Sequence, residues 1–439
     1  MTKKLFLFLG MMLFPACSDD NGSDGQSSGQ GTLGMLRLET AGTLKVGTSD
    51  NAEVIRVLPG TSDAVLISSK AHRVTRLTYD ASQGIRVVEQ ATKEMPGDDE
   101  LTSGQLFDAS TILVTHTILE KASSEENAAI TGCGGELMAL SLEPGSNFGA
   151  VLGTAAVGAM PDAVALSPDG HWAVTCDEHD SEAEAWGKCT VEDIRPSVTL
   201  LDLSRGVGDM KAVAKITFSR NMIGPREPEY AAIASDHDTV MVTLQDSDEV
   251  AIFKISSVLA MTPSASGMIE LDESAVRIVS LPVNASGAQP WPDGIVSFEV
   301  AGKSYFTMAG EWNDTLITLD SEGEVVSNIQ ITESEVPSNY PCVHHGSDPL
   351  YSPDSLAVFK KNGKTFVAAT LRHAGAVIVY DYSTPSSPRF SAIAKVGASD
   401  GNTCTENGSS VRPEGIASDG ALIWVANEKE SSVSVIRID

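Results

Sequence analysis

Five carboxylates in this chain share one kind of position. Asp162, Glu229, Asp293, Asp354 and Glu414 each follow a proline that opens a short apolar segment, as in Pro161-Asp162-Ala163-Val164-Ala165-Leu166. A turn such as Ser167-Pro168-Asp169-Gly170 follows, then a second apolar segment, here Trp172-Ala173-Val174-Thr175. The second segments end at Asp177, Gln245, Glu311, Arg372 and Glu428. If each pair of segments is an antiparallel hairpin, the start of its first strand lies beside the end of its second. Both sets of residues then converge on one rim and form a candidate ligand-binding set. Carboxylates ~6 Å apart at an effective dielectric of ~20 repel by about 3 kcal/mol, so the rim requires a bound cation, protonated acids or interposed arginines. Oxygen-only ligands suit calcium or another hard cation, and Asp162, Glu229, Asp293 and Glu414 are the candidate metal ligands. Arg226 and Arg412 precede the Pro-acid pairs of two units, and Arg372 stands in the second set. These arginines support a competing reading, a belt of alternating charge that staples the units together.

Other chemistry-bearing residues are less ordered. The segment from Glu178 through His179, Asp180, Glu182 and Glu184 to Trp186 leaves the same rim and reads as an acidic loop. It lacks the Asp-x-Asp-x-Asp-Gly spacing of an EF-hand. His344-His345 lies in a loop near Asp348; adjacent histidines on a strand point opposite ways, so a shared metal there needs irregular backbone. There is no HExxH, no GxSxG elbow and no phosphate-cradling glycine loop. A metal-dependent hydrolase of lactonase or phosphoesterase type is the competing enzymatic reading, with Asn313 and Asn427 as the suggestive partners of the acids. No catalytic residue is assigned. Trp172, Trp291 and Trp424 are expected to fill space between sheets. Trp312, beside Glu311, is placed either in the core or at the mouth.

What must position these residues is a repeat. Five clear hairpins, at Pro161, Pro228, Pro292, Pro353 and Pro413, follow two less regular units, one beginning at Ala52-Glu53-Val54 and one built on Thr111–Thr115 with Leu137–Leu140. Third strands alternate in Val198–Leu201, Val250–Phe253, Thr315–Thr318 and Val377–Tyr380. Seven such units predict an all-β, seven-bladed β-propeller. The last unit runs out at Ile438, so an N-terminal strand, expected at Leu33–Leu38, closes the last blade and leaves no open edge.

Specific matches include Glu229-Tyr230 followed by Val242-Thr243-Leu244-Gln245, Gly363-Lys364-Thr365 leading to Val379-Tyr380-Asp381-Tyr382, and Pro413-Glu414-Gly415 with Val425-Ala426-Asn427-Glu428. On these the chain resembles the choice-of-anchor I family of secreted bacterial propellers, over roughly residues 38–438. The family is also similar to a mesenchyme-specific cell-surface glycoprotein, which implies extracellular work near calcium by analogy. The resemblance implies a glutamate where Arg372 stands, and it supplies no catalytic set.

The chain has 439 residues, with 30 basic and 59 acidic side chains and a net charge of −29. Such a balance argues against nucleic acid and favours cations, basic partners or simple solubility. Lys3-Lys4, the apolar run Leu5–Phe14 and Pro15-Ala16-Cys17 read as a signal peptide over residues 1–16 with a lipidated Cys17. Residues 17–32 form a polar tether, and residues 33–439 the propeller. The expected location is the cell envelope, with the membrane reached through the lipid anchor alone. The expected partner is an envelope protein or a small ligand, the expected state a monomer, and the expected role non-catalytic binding. Export permits disulfides, and Cys176 with Cys189, flanking the acidic loop, is the expected pair.

Overall fold

The computed structural model describes residues 36–48, 52–95, 100–121, 130–178, 195–219, 221–340, 350–398, 404–405 and 408–439. They form seven blades of antiparallel strands. Blade 1 begins at Ala52–Val57, blade 2 at Leu101–Asp108, blade 3 at Pro161–Leu166 and blade 4 at Pro228–Ile233. Blades 5, 6 and 7 begin at Pro292–Val300, Pro353–Lys361 and Pro413–Ser418. In blades 1 to 6 the strands follow chain order from the axis outward. The chain is all-β, and the one α-helix among the described residues spans only Ile255–Leu259.

The middle strands are apolar on both faces because each blade is sandwiched between two neighbours. All six residues of Thr239–Leu244 are buried, for example. Seven hydrophobic clusters result, each joining two adjacent blades around the ring. Trp424, fully buried, sits in the cluster between blades 7 and 1, and Trp172 packs against the one between blades 3 and 4. Trp312 does not join a core. It is 47% exposed, and its ring lies 4.5 Å from that of Trp291.

Ring closure comes from an N-terminal strand, as the repeat requires. That strand is Leu38–Lys45, paired antiparallel to Ser432–Ile438 with Leu38 opposite Ile438. The expected span Leu33–Leu38 is therefore moved toward the C-terminus, residues 33–35 lying outside the described residues. The apolar residues just upstream attract the assignment, whereas the strand that closes the ring is an edge with one solvated face and a weaker pattern. A second stitch was not legible. The outer strand of blade 4, Arg277–Ser280, arrives late because the intervening chain sends Ile269–Asp272 back to pair in parallel with Lys211–Thr217 of blade 3.

Candidate functional site

The inner strand of every blade carries a β-bulge at its axial end, and the bulge is where the acids sit. Register shifts fall at Glu53 in blade 1, Thr102 in blade 2 and Asp162 in blade 3. In blades 4 to 7 they fall at Glu229-Tyr230, Asp293-Gly294, Asp354-Ser355 and Glu414-Gly415. A bulge frees one backbone group and re-aims one side chain. The freed N–H groups are satisfied locally: Tyr230 N donates to Thr243 Oγ1 at 2.9 Å and Ser355 N to Thr370 Oγ1 at 3.0 Å. Six of the seven positions are acidic, and all seven line one axial cavity of about 610 Å³.

Eight carboxylates and two arginines, Arg56 and Arg372, line this cavity. The five predicted strand-start acids are all there, with Gln245, Glu311 and Arg372 of the second set. Glu53 and Glu100 were missed. Glu53 was legible, since Ala52-Glu53 occupies the Pro-acid position with alanine in place of proline. Glu100 stands two residues before the blade 2 bulge at Thr102 and carries no such signal.

Asp177 does not reach the cavity. It is fully buried and accepts hydrogen bonds from Thr175, Ser197 and Thr199 at 2.8, 2.9 and 2.7 Å, and burial pushes its carboxyl up to about 6. Its place at the rim belongs to Glu178, whose N–H donates to Met160 O. The N–H groups of Gln245, Glu311, Arg372 and Glu428 make the equivalent bonds in their own blades. A slip of one residue turns a strand side chain to the opposite face.

Charge compensation is lopsided. Arg372 is a hub: its Nη1 lies 2.7 Å from Glu311 and 3.1 Å from Asp354, and its Nη2 lies 2.8 Å from Glu414. Arg412 Nε lies 3.4 Å from Glu414 and 3.2 Å from Glu428. Arg226, expected in the belt, turns away to Glu249 and Glu273. Glu53, Glu414 and Glu428 bring carboxylate oxygens within 4.8 Å of one another. On the other arc, no arginine or lysine among the described residues pairs with Glu229 or Asp293. Asp293 is only 5% exposed and is hydrogen-bonded to another carboxyl, Asp354.

These contacts shift the acids upward. Burial pushes the Glu53 carboxyl up to about 8. Glu229 is held well above the usual carboxylate range by burial and then by Asp162 and Glu178. Asp293 is raised by burial and then by Asp354 and Glu311. Glu414 is raised by burial even though Arg372 opposes the shift. The arrangement can hold a cation or protons. Asn313 and Asn427, the suggestive partners of the acids, are buried and engaged elsewhere, donating to Ala288 O and to the Ser432 and Ser434 hydroxyls.

Cys176 is a free, buried thiol, so the expected Cys176–Cys189 bridge is not formed. Cys17, the tether, Cys189, most of the acidic loop and His344-His345 lie outside the described residues.

A family model described as the choice-of-anchor I domain matches residues 53–339. No curated protein matches the sequence. Among solved structures, hydrazine synthase of Kuenenia stuttgartiensis is similar at 15% identity and a TM-score of 0.54, over 94% of this chain and 99% of that one. A catalytically inactive virginiamycin B lyase from Staphylococcus aureus with quinupristin is similar at 12% identity and a TM-score of 0.52, over 92% of this chain and 99% of that chain. The propeller domain of Myceliophteria thermophila Cps50 (Swd1) gives 9% identity and a TM-score of 0.51, over 90% and 98%. At these identities the likeness is one of fold.

Proposed function

The chain belongs to the choice-of-anchor I family, and from that premise we propose an exported, non-catalytic binding propeller, lipid-anchored in the cell envelope through Cys17, whose axial mouth takes up a hard cation, calcium in the first instance. Family membership points to a secreted or cell-surface protein. The observation that carries the cation reading is Asp293. A carboxyl 5% exposed, lining the cavity, has another carboxyl as its partner; Arg372 opposes its upward shift but pairs with Glu311, Asp354 and Glu414. Glu229 beside it has no arginine or lysine pairing with it among the described residues. A buried charge without a counter-ion is unfavourable unless it is neutralised, and a hard dication with carboxylate ligands does this directly. The arginine belt accounts for blades 5 to 7 and leaves Glu229 of blade 4 to be neutralised by a ligand.

The test is thermal denaturation with and without Ca²⁺. We expect Ca²⁺ to raise the Tm of the full chain, and Glu229→Gln to remove that rise while leaving the protein folded. A Tm indifferent to every divalent ion tried would remove the cation from the reading. A rise that survives both Glu229→Gln and Asp293→Asn would move it elsewhere in the molecule.

A further inference from the structure

At the far end of the same hairpins, away from the acids, two neighbouring turns bring together a different donor set. Asp169 and His171 lie in the turn of blade 3 between Pro161–Leu166 and Trp172–Asp177, and His237 lies in the corresponding turn of blade 4. The Nδ1 atoms of His171 and His237 each lie 3.3 Å from the same oxygen, Asp169 Oδ2. The other carboxylate oxygen is already engaged: Oδ1 accepts from Ser167 Oγ at 2.6 Å and from His171 N at 3.1 Å. Asp169 is thus fixed through one oxygen and presents the second to two imidazoles.

Both turns are rigid. Trp172 N donates to Ser167 Oγ, and Gly170 N to Ser167 O. In the other turn Asp236 accepts from Asp238 N and Thr239 N, and His237 has a left-handed φ of 63°. The His237 Nδ1 atom is buried and makes no hydrogen bond, although it faces Asp169 Oδ2.

We propose that Asp169, His171 and His237 form a binding site for a first-row transition-metal dication of the zinc class. Two imidazoles and a carboxylate are donors that such ions prefer over calcium. Donors bound at ~2.0–2.1 Å around a tetrahedral ion stand about 3.3 Å apart, and both nitrogen–oxygen separations have that value. The third edge is open, since the three donors do not all lie within 4.8 Å of one another. The His171 side chain is 58% exposed, so its ring is free to turn inward and close the set. Held Asp169 is the kind of support that orients a metal ligand. A three-residue set leaves a fourth position for water or for a donor from another molecule.

The test is isothermal titration of the full chain with Zn²⁺, with Ca²⁺ in the cell to occupy hard-cation sites. One Zn²⁺ should be lost from the isotherm, or bound about tenfold or more weakly, in His237→Ala and in His171→Ala. Asp169→Asn keeps an oxygen for Ser167 and His171 N while removing the charged ligand, and should weaken binding likewise. Glu229→Gln, at the other end of the channel, should leave Zn²⁺ binding unchanged. Unaltered circular dichroism shows that each variant is folded. No Zn²⁺ binding, or binding equal in the wild type and in both histidine variants, overturns the site.

Discussion

Arg372 and Glu229 define the two arcs of the mouth, and they should respond to mutation in opposite directions. Arg372 is 13% exposed and contacts three carboxylates. Removing one partner of a buried ionic cluster typically destabilises by 3–5 kcal/mol. Arg372→Met should therefore lower stability by about that much in chemical denaturation. Glu229→Gln removes a like charge from an uncompensated arc. It should stabilise the cation-free protein, on the order of 1–3 kcal/mol, the scale of a close like-charge contact. If Glu229→Gln destabilises the cation-free protein instead, the arc is compensated by a group not identified. Most mouth residues were legible because the Pro-acid pair repeats. What could not be read was which acids an arginine would neutralise. Arg226 and Arg412 look alike in sequence, yet one turns outward to Glu249 and Glu273.

The bulge is the element that builds the site, and glycine lets neighbouring bulges touch. A Cβ at Gly415 would collide with the backbone carbonyl of Glu53, and one at Gly294 would lie 2.7 Å from Asp354 O. Gly415→Ala should force blades 7 and 1 apart at the mouth and destabilise by about 1–3 kcal/mol, with the loss read as a lower urea midpoint. A midpoint equal to the wild type would mean that the inner strands do not need this approach. The Asp177 reading fell one residue short: in blade 3 two acids, Asp177 and Glu178, stand together at the strand end, and the equivalent of Gln245, Glu311, Arg372 and Glu428 is the second of them, while the first faces the blade interior. Strand identity was clear from alternation wherever both faces are buried. It was weakest at the outer edge, where Leu38–Lys45 alternates poorly.

At the scale of the whole molecule, the raised carboxyls tie stability to pH. For an acid whose folded pKa exceeds its unfolded value, the native state binds more protons between the two, so stability falls as pH rises through that window. Glu53 places the window between 4.5 and about 8, and Glu229, Asp293 and Glu414 shift in the same direction. The cation-free protein should thus have a higher Tm at pH 5 than at pH 8. Ca²⁺ should recover more stability at pH 8, where it competes with fewer protons. A flat or rising Tm over this range would mean that the acids are ionised throughout. The net charge of −29 left cations, basic partners and simple solubility open and did not say where the charge concentrates, because only the ring brings six bulge acids to one axis.

The pairing of Leu38 with Ile438 also governs how such a molecule comes into being. A chain emerging from its N-terminus must hold its first strand unpartnered until nearly all the rest has been made. Contacts this distant in sequence make folding slow and expose unpaired edges along the way. Sealing the seam is therefore the contact of longest sequence separation in the molecule, and it cannot form before the last strand, Ser432–Ile438, is available.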